Sequence, residues 1–197
     1  MKMRMILGRV ITSISRTVST QAVAVLLLAT LLPDTAAVLA DDQVYRPAED
    51  FVAAAFDGDP PPAQALWVEA GLRDELTRLF GWQPGIRVRF WQQADRSVWI
   101  LDEIGKEKPI TAGIVVDDGL IEEIEVLVFR ESRGWEVKYP FFTDQFNQVA
   151  LDEHDELNQH IDGITGATLS VGALKRMARV ALKLHDETQQ TTLARRP

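Results

Sequence analysis

The chain has 197 residues, 46% of them hydrophobic, which suits one folded domain plus a targeting segment. Its 29 acidic residues outnumber 21 basic ones, so nucleic-acid phosphates would be repelled and nucleic acid is not an expected partner. The absence of cysteine excludes disulfides, cysteine-ligated iron–sulfur clusters and thioether-attached haem from this chain; His154, His160 and His185 lack zinc-ligand spacing, so no metal site is expected.

Residues 1–40 read as a signal peptide, with an uncleaved N-terminal anchor as the competing reading. Lys2, Arg4, Arg9 and Arg16 make a basic start, residues 22–32 (AVAVLLLATLL) an apolar run, and Val38-Leu39-Ala40 a small-residue cleavage pattern before Asp41. The run is shorter than the roughly 20 residues that span a bilayer. No twin-arginine pair is present, which implies export of the unfolded chain. Without this segment's four basic residues and one acidic residue, 17 basic and 28 acidic residues remain, a net charge of −11. The expected location is the periplasm or the extracytoplasmic face of the inner membrane.

Residues 41–85 read as a helical N-terminal extension. A short helix is expected over 49–56 (EDFVAAAF), ended by the turn Asp57-Gly58-Asp59. Pro60-Pro61-Pro62 is expected to open a second helix, with Leu66, Ala70, Leu72, Leu76, Leu79 and Phe80 near helical spacing and Gly81 at its end. Strands are expected over 86–90, 97–104, 110–116 and 120–129. Asp117-Asp118-Gly119 marks a hairpin, and in the last strand Ile124, Val126 and Val128 alternate with Glu123, Glu125 and Leu127. The segment 131–135 interrupts this pattern, 139–146 (YPFFTDQF) reads as an aromatic loop, and the acidic run 152–156 as a solvated face. After Ser170, the spacing of Leu174, Met177, Ala181 and Leu184 predicts a final helix, leaving 191–197 as a tail. The fold class is α+β: an antiparallel sheet with N-terminal helices and a C-terminal helix.

Between sheet and final helix stands Ile161-Asp162-Gly163-Ile164-Thr165-Gly166-Ala167-Thr168-Leu169-Ser170. It sets an Asp-Gly turn, a second glycine and three hydroxyl residues against a helix N-terminus, where backbone N–H groups and a positive local field suit a phosphate. Gly163 and Gly166 permit tight turns, Ala167 stays small, Thr168 offers a hydroxyl, and Ser170 is the expected N-cap. Lys175, one turn into the helix, is a candidate to offset phosphate charge.

This segment resembles the flavinylation motif of the FMN-binding domain family, Asp-Gly-x-(Ser/Thr)-Gly-Ala-Thr-x-(Ser/Thr), found in small flavin subunits of sodium-pumping NADH:quinone reductases and Rnf complexes. The resemblance implies FMN held by a phosphoester bond to Thr168, within an FMN-binding domain over 86–190. It makes Asp162, Gly163, Thr165, Gly166, Ala167, Leu169 and Ser170 part of the cofactor site. It extends to Gly134, in a turn resembling Glu-Thr-Pro-Gly, and to Gln145-Phe146. The departure is Ser132-Arg133, where Thr-Pro is expected. Glu131 is a candidate contact to the isoalloxazine or ribityl chain, and Trp135, Tyr139, Phe141 and Phe142 are candidates to stack on it.

The expected function is an exported electron-transfer flavoprotein with covalent FMN, matured by a flavin transferase and serving redox partners such as a membrane oxidoreductase or cytochrome. It is expected to be a carrier or subunit rather than a stand-alone enzyme: no glycine fingerprint for a dinucleotide and no nucleophile–base pair is evident, and no catalytic residue is assigned. The alternatives are a flavin subunit of a larger membrane complex and a non-redox periplasmic binding or scaffolding domain.

Overall fold

In the computed structural model, which describes residues 42–83 and 85–194, six strands form one antiparallel sheet. The segment 1–40 and the last residues of the tail lie outside the described residues. The strands are β1 (Gln43–Val44), β2 (Gln64–Trp67), β3 (Arg87–Gln93), β4 (Arg96–Ile104), β5 (Pro109–Asp117) and β6 (Leu120–Phe129), in the spatial order β1-β6-β5-β4-β3-β2. The helices are α1 (Ala48–Ala55), α2 (Ala70–Phe80), the one-turn α3 (Pro140–Thr143) and the long α4 (Thr168–Ala194). The α+β class expected from the sequence is the observed one. Among the described residues no helix is long and apolar enough to cross a membrane.

β5 is central, and its run Ile110–Val116 is buried throughout, as a strand covered on both faces must be. On one face α4 lays Leu174, Met177, Ala178, Ala181 and Leu184 into a core with Trp99, Ile114, Val116, Ile124 and Val126. On the other, Phe51 and Val52 of α1, with Phe56 just beyond its end, cover Val98, Val115 and Leu127. Both helices present apolar stripes at helical spacing, so the sheet is covered on both faces by segments far apart in sequence.

Two expectations change. Residues 64–67, expected to be helical, form edge strand β2, with Gln64 opposite Phe90 and Trp67 opposite Arg87. A residue before proline is pushed out of the α region, so Pro60-Pro61-Pro62 feeds an extended segment, and the helix waits until Ala70. In β6 the simple alternation also fails. Register shifts between Thr111 and Ala112 and between Val115 and Val116 place Ile121, Ile124, Val126 and Phe129 in the main core, while Val128 packs with Leu127 on the α1 face. A bulge inserts one residue and reverses the phase of the pleat beyond it.

One polar knot lies inside the core. Trp99 Nε1 donates to Ser97 Oγ at 2.8 Å, and Ser97 Oγ lies 2.8 Å from His185 Nδ1 on α4. The Ser97 hydroxyl accepts from the indole and makes a second hydrogen bond with Nδ1, whose direction follows the His185 tautomer. Burial pushes the His185 pKa down, against the opposing pull of the carboxylates of Asp186, Asp117, Asp95 and Asp118.

Candidate functional site

The segment before α4 is a turn between a buried residue and a helix end. Ile161 is in the core. Its carbonyl accepts from Lys175 Nζ at 3.1 Å, and the next amide, Asp162 N, donates to Gln145 Oε1 at 2.7 Å. Gly166 then takes φ +86°, a left-handed conformation that an L side chain resists, and Ala167 N donates back to Ile164 O at 3.0 Å. Val171 N donates to Ala167 O at 2.9 Å, so helical bonding begins at Thr168.

This start overturns the N-cap role expected for Ser170. The helix begins at Thr168, three residues before the start that a Ser170 cap implies, which puts Ser170 inside the first turn and 4% exposed. The reason is tertiary. Gly134, at φ +86°, lies directly over Ser170; a Cβ on Gly134 would fall 2.5 Å from Ser170 Oγ and 3.5 Å from Ala167 Cβ. Glycine is thus required at 134 twice, for its backbone angle and for its missing side chain. The 131–134 turn is thereby brought down against the beginning of α4.

A cleft of about 550 Å³ opens where these segments meet, lined by Gly166, Ala167, Thr168, Leu169 and Ser170 on one side and by Lys106, Glu131, Ser132 and Arg133 on the other. Of the motif's three hydroxyls, those of Thr168 and Ser170 belong to residues of its wall, and Ser170 is covered by Gly134. Thr168 is exposed, and among the described residues its hydroxyl has no hydrogen-bond partner. The first-turn N–H groups of an α-helix have no intrahelical acceptor, and the first turn of α4 contains no acidic side chain.

The opposite wall is held by Glu131. Its Oε1 accepts from the backbone amides of Lys106, Glu107 and Lys108 at 2.5, 2.6 and 2.9 Å, clamping the β4–β5 loop. Burial alone would raise the carboxyl pKa, but the three amides and the nearby Lys106 ammonium outweigh it and hold the group below the ordinary range. One carboxylate oxygen of this cleft-wall residue is therefore engaged in bracing the cleft.

Other residues singled out by sequence sit elsewhere. Asp162 is exposed and pairs at 3.4 Å with His160. Gly163 and Thr165 are exposed and not part of the cleft wall. Lys175 lines a separate cleft of about 460 Å³ with Asn158, Gly172, Arg176 and Arg179. Phe142 is fully buried in the core, whereas Trp135, Tyr139 and Phe141 form an exposed ridge, with ring centroids 5.7 and 6.3 Å apart along it. The segment 139–146 carries α3 and a 3-10 turn where an irregular loop was expected. Three cleft residues stand outside the site expected from sequence. Lys106 lies in a loop some 60 positions before the motif, which no local spacing could connect to it, and Ser132 and Arg133 stand out in the sequence only as departures from Thr-Pro.

Does such a cleft fit a flavin mononucleotide? Its volume lies within the roughly 300–1,000 Å³ of small-molecule sites, and it offers an open hydroxyl, two cationic side chains and a helix start. The donor set suits a phosphate ester anion. Residues 105–183 match the family model described as FMN-binding domain. The chain thus carries an FMN-binding domain, which supports a flavoprotein with FMN as its cofactor. No curated protein and no solved structure matches the chain.

Proposed function

We propose that this chain, whose residues 105–183 are an FMN-binding domain, is an exported electron carrier with FMN joined covalently through its phosphate to Thr168. The observation that carries the reading is the uncovered Thr168 hydroxyl in a cationic cleft at the start of α4, inside the matched segment. Its neighbour Ser170 is covered by Gly134, which favours Thr168 as the acceptor.

When bound, FMN takes up and releases electrons singly or in pairs. The chain's own residues do the holding. Gly166 sets the turn that aims α4 at the cleft, Gly134 closes the wall over Ser170, and Glu131 fixes the loop carrying Lys106. Attachment forms one bond, from Thr168 Oγ1 to phosphorus, and breaks the phosphoanhydride of a flavin dinucleotide donor. The nucleotide monophosphate departs, and the hydroxyl proton is released. Since no described residue hydrogen-bonds the Thr168 hydroxyl, the base for this step is assigned to a separate flavin transferase.

Export is supported by the basic start, apolar run and cleavage pattern of residues 1–40. A covalent link would keep the cofactor from being lost outside the cytoplasm. The same apolar run, if retained as an anchor, supports the second reading, a flavin subunit of a membrane oxidoreductase.

The test is intact-protein mass spectrometry of the chain coexpressed with a flavin transferase, followed by peptide mapping. Wild type is expected to gain the mass of FMN less one water on the peptide containing Thr168, with an N-terminus at Asp41. Thr168→Ala is expected to gain nothing. Flavin retained in Thr168→Ala refutes the attachment site, and a bare wild-type mass turns the reading toward a binding or scaffolding domain.

A further inference from the structure

We propose that Arg133 is the phosphate-positioning residue of the cleft: its guanidinium holds the phosphate ester of the incoming flavin nucleotide against Thr168. This role depends on Thr168 being the attachment point proposed above. Arg133 lies in the wall of the same cleft as Thr168, and it is exposed. Among the described residues it has no hydrogen-bond or ion-pair partner.

The other charges around it are already committed. Glu131, two residues away, has one carboxylate oxygen bonded by three backbone amides. Lys106 pairs with Glu107 at 3.1 Å, with both side chains about 70% exposed. Across the cleft, the first turn of α4 brings no carboxylate. Arg133 is therefore the cleft cation whose donors are all unengaged.

Charge favours such a residue. A phosphate approaching a chain with 29 acidic and 21 basic residues meets net repulsion, which a cation beside the acceptor hydroxyl reverses locally. A guanidinium also suits the task better than an ammonium, because its planar fork engages two phosphate oxygens and fixes their orientation. Arg133 stands where the resembled family pattern has proline, so this cation is a feature of this chain's own turn. Gly134 next to it is pinned over Ser170, which limits how far the arginine's backbone can drift from Thr168.

The experiment measures the rate at which purified full-length chain gains FMN mass at Thr168 from flavin adenine dinucleotide and a flavin transferase. Arg133→Gln is expected to load roughly three- to tenfold more slowly, the range expected for a charge-assisted contact discounted for exposure. Arg133→Lys should recover part of the rate. Inorganic phosphate should slow wild-type loading beyond an equal ionic strength of chloride, and Arg133→Gln should lose that excess. An unchanged unfolding midpoint shows that the exposed substitution leaves the fold intact. Loading of Arg133→Gln at the wild-type rate overturns the role. So does slowed loading with the phosphate excess retained, which would place Arg133 against the transferase instead. A wild-type chain that gains no flavin at Thr168 is a different failure: it removes the attachment reading itself.

Discussion

Gly134→Ala should be costly, and the cost should have two separable parts. The residue sits at φ +86°, where an alanine Cβ crowds its own backbone by about 1–2 kcal/mol. The new methyl would also lie 2.5 Å from Ser170 Oγ and 3.3 Å from Ser170 Cβ, well inside contact distance. Forcing a methyl into a closed contact typically costs about 1–3 kcal/mol. The sum is a loss of about 2–5 kcal/mol, a large share of a domain's net stability. Ser170→Ala alone should be close to neutral, since its hydroxyl has no partner among the described residues and alanine is the better helix former. In the double variant the 2.5 Å clash is gone while the backbone penalty stays, so the pair should recover about 1–2 kcal/mol relative to the sum of the singles. Denaturant unfolding followed by tryptophan fluorescence reads all three variants, with a shifted midpoint and an unchanged slope expected. A neutral Gly134→Ala would mean the turn does not press on α4. A costly Gly134→Ala that Ser170→Ala fails to relieve would mean that Ser170 is not what it presses on. Because this contact closes the cleft wall, Gly134→Ala should also lower flavin loading at Thr168.

Two further outcomes can be checked by unfolding at several pH values. Burial depresses the His185 pKa, so the unfolded chain binds more protons than the folded one, and stability is lost as pH falls below the ordinary histidine value of about 6.5. His185→Gln should flatten that slope; Asp186, whose pKa burial raises, works in the opposite sense and is common to both proteins, and an unchanged slope would refute the assignment. Glu131 is depressed by its amide partners despite burial, so its contribution is present above about pH 4.3 and lost as pH falls through its folded pKa. Glu131→Gln keeps an acceptor but not the charge and should cost about 1 kcal/mol near neutrality, with faster amide hydrogen exchange over residues 106–108 as the local signature; unaltered exchange there would show that the clamp is not formed in solution.

Much of the fold was legible because periodicity reports a side chain's environment directly. The β-branched residues of β5, the Asp-Gly turn before β6 and the helical spacing from Leu174 to Leu184 each need only local information. The errors arose where a distant partner decided. Leu66 fits a helical stripe, yet residues 64–67 gain a ladder with β3 by extending from the proline run. Val128 fits an alternating stripe, yet a bulge against β5 turns it to the opposite face.

The site divides in the same way. Sequence by itself determined that a hydroxyl would stand beside two glycines at the start of a helix, because turn and helix-start preferences are local. The choice of Thr168 among the motif's hydroxyls came from the resemblance to the flavinylation motif. Only the tertiary structure decided that α4 begins at Thr168, that Gly134 covers Ser170 and leaves Thr168 open, that Glu131 braces a loop, and that Lys106 and Arg133 share the cleft. Those outcomes depend on close approaches between segments some 25 to 60 positions apart, and such distances follow from how sheet and helix pack, not from the order of residues along either one.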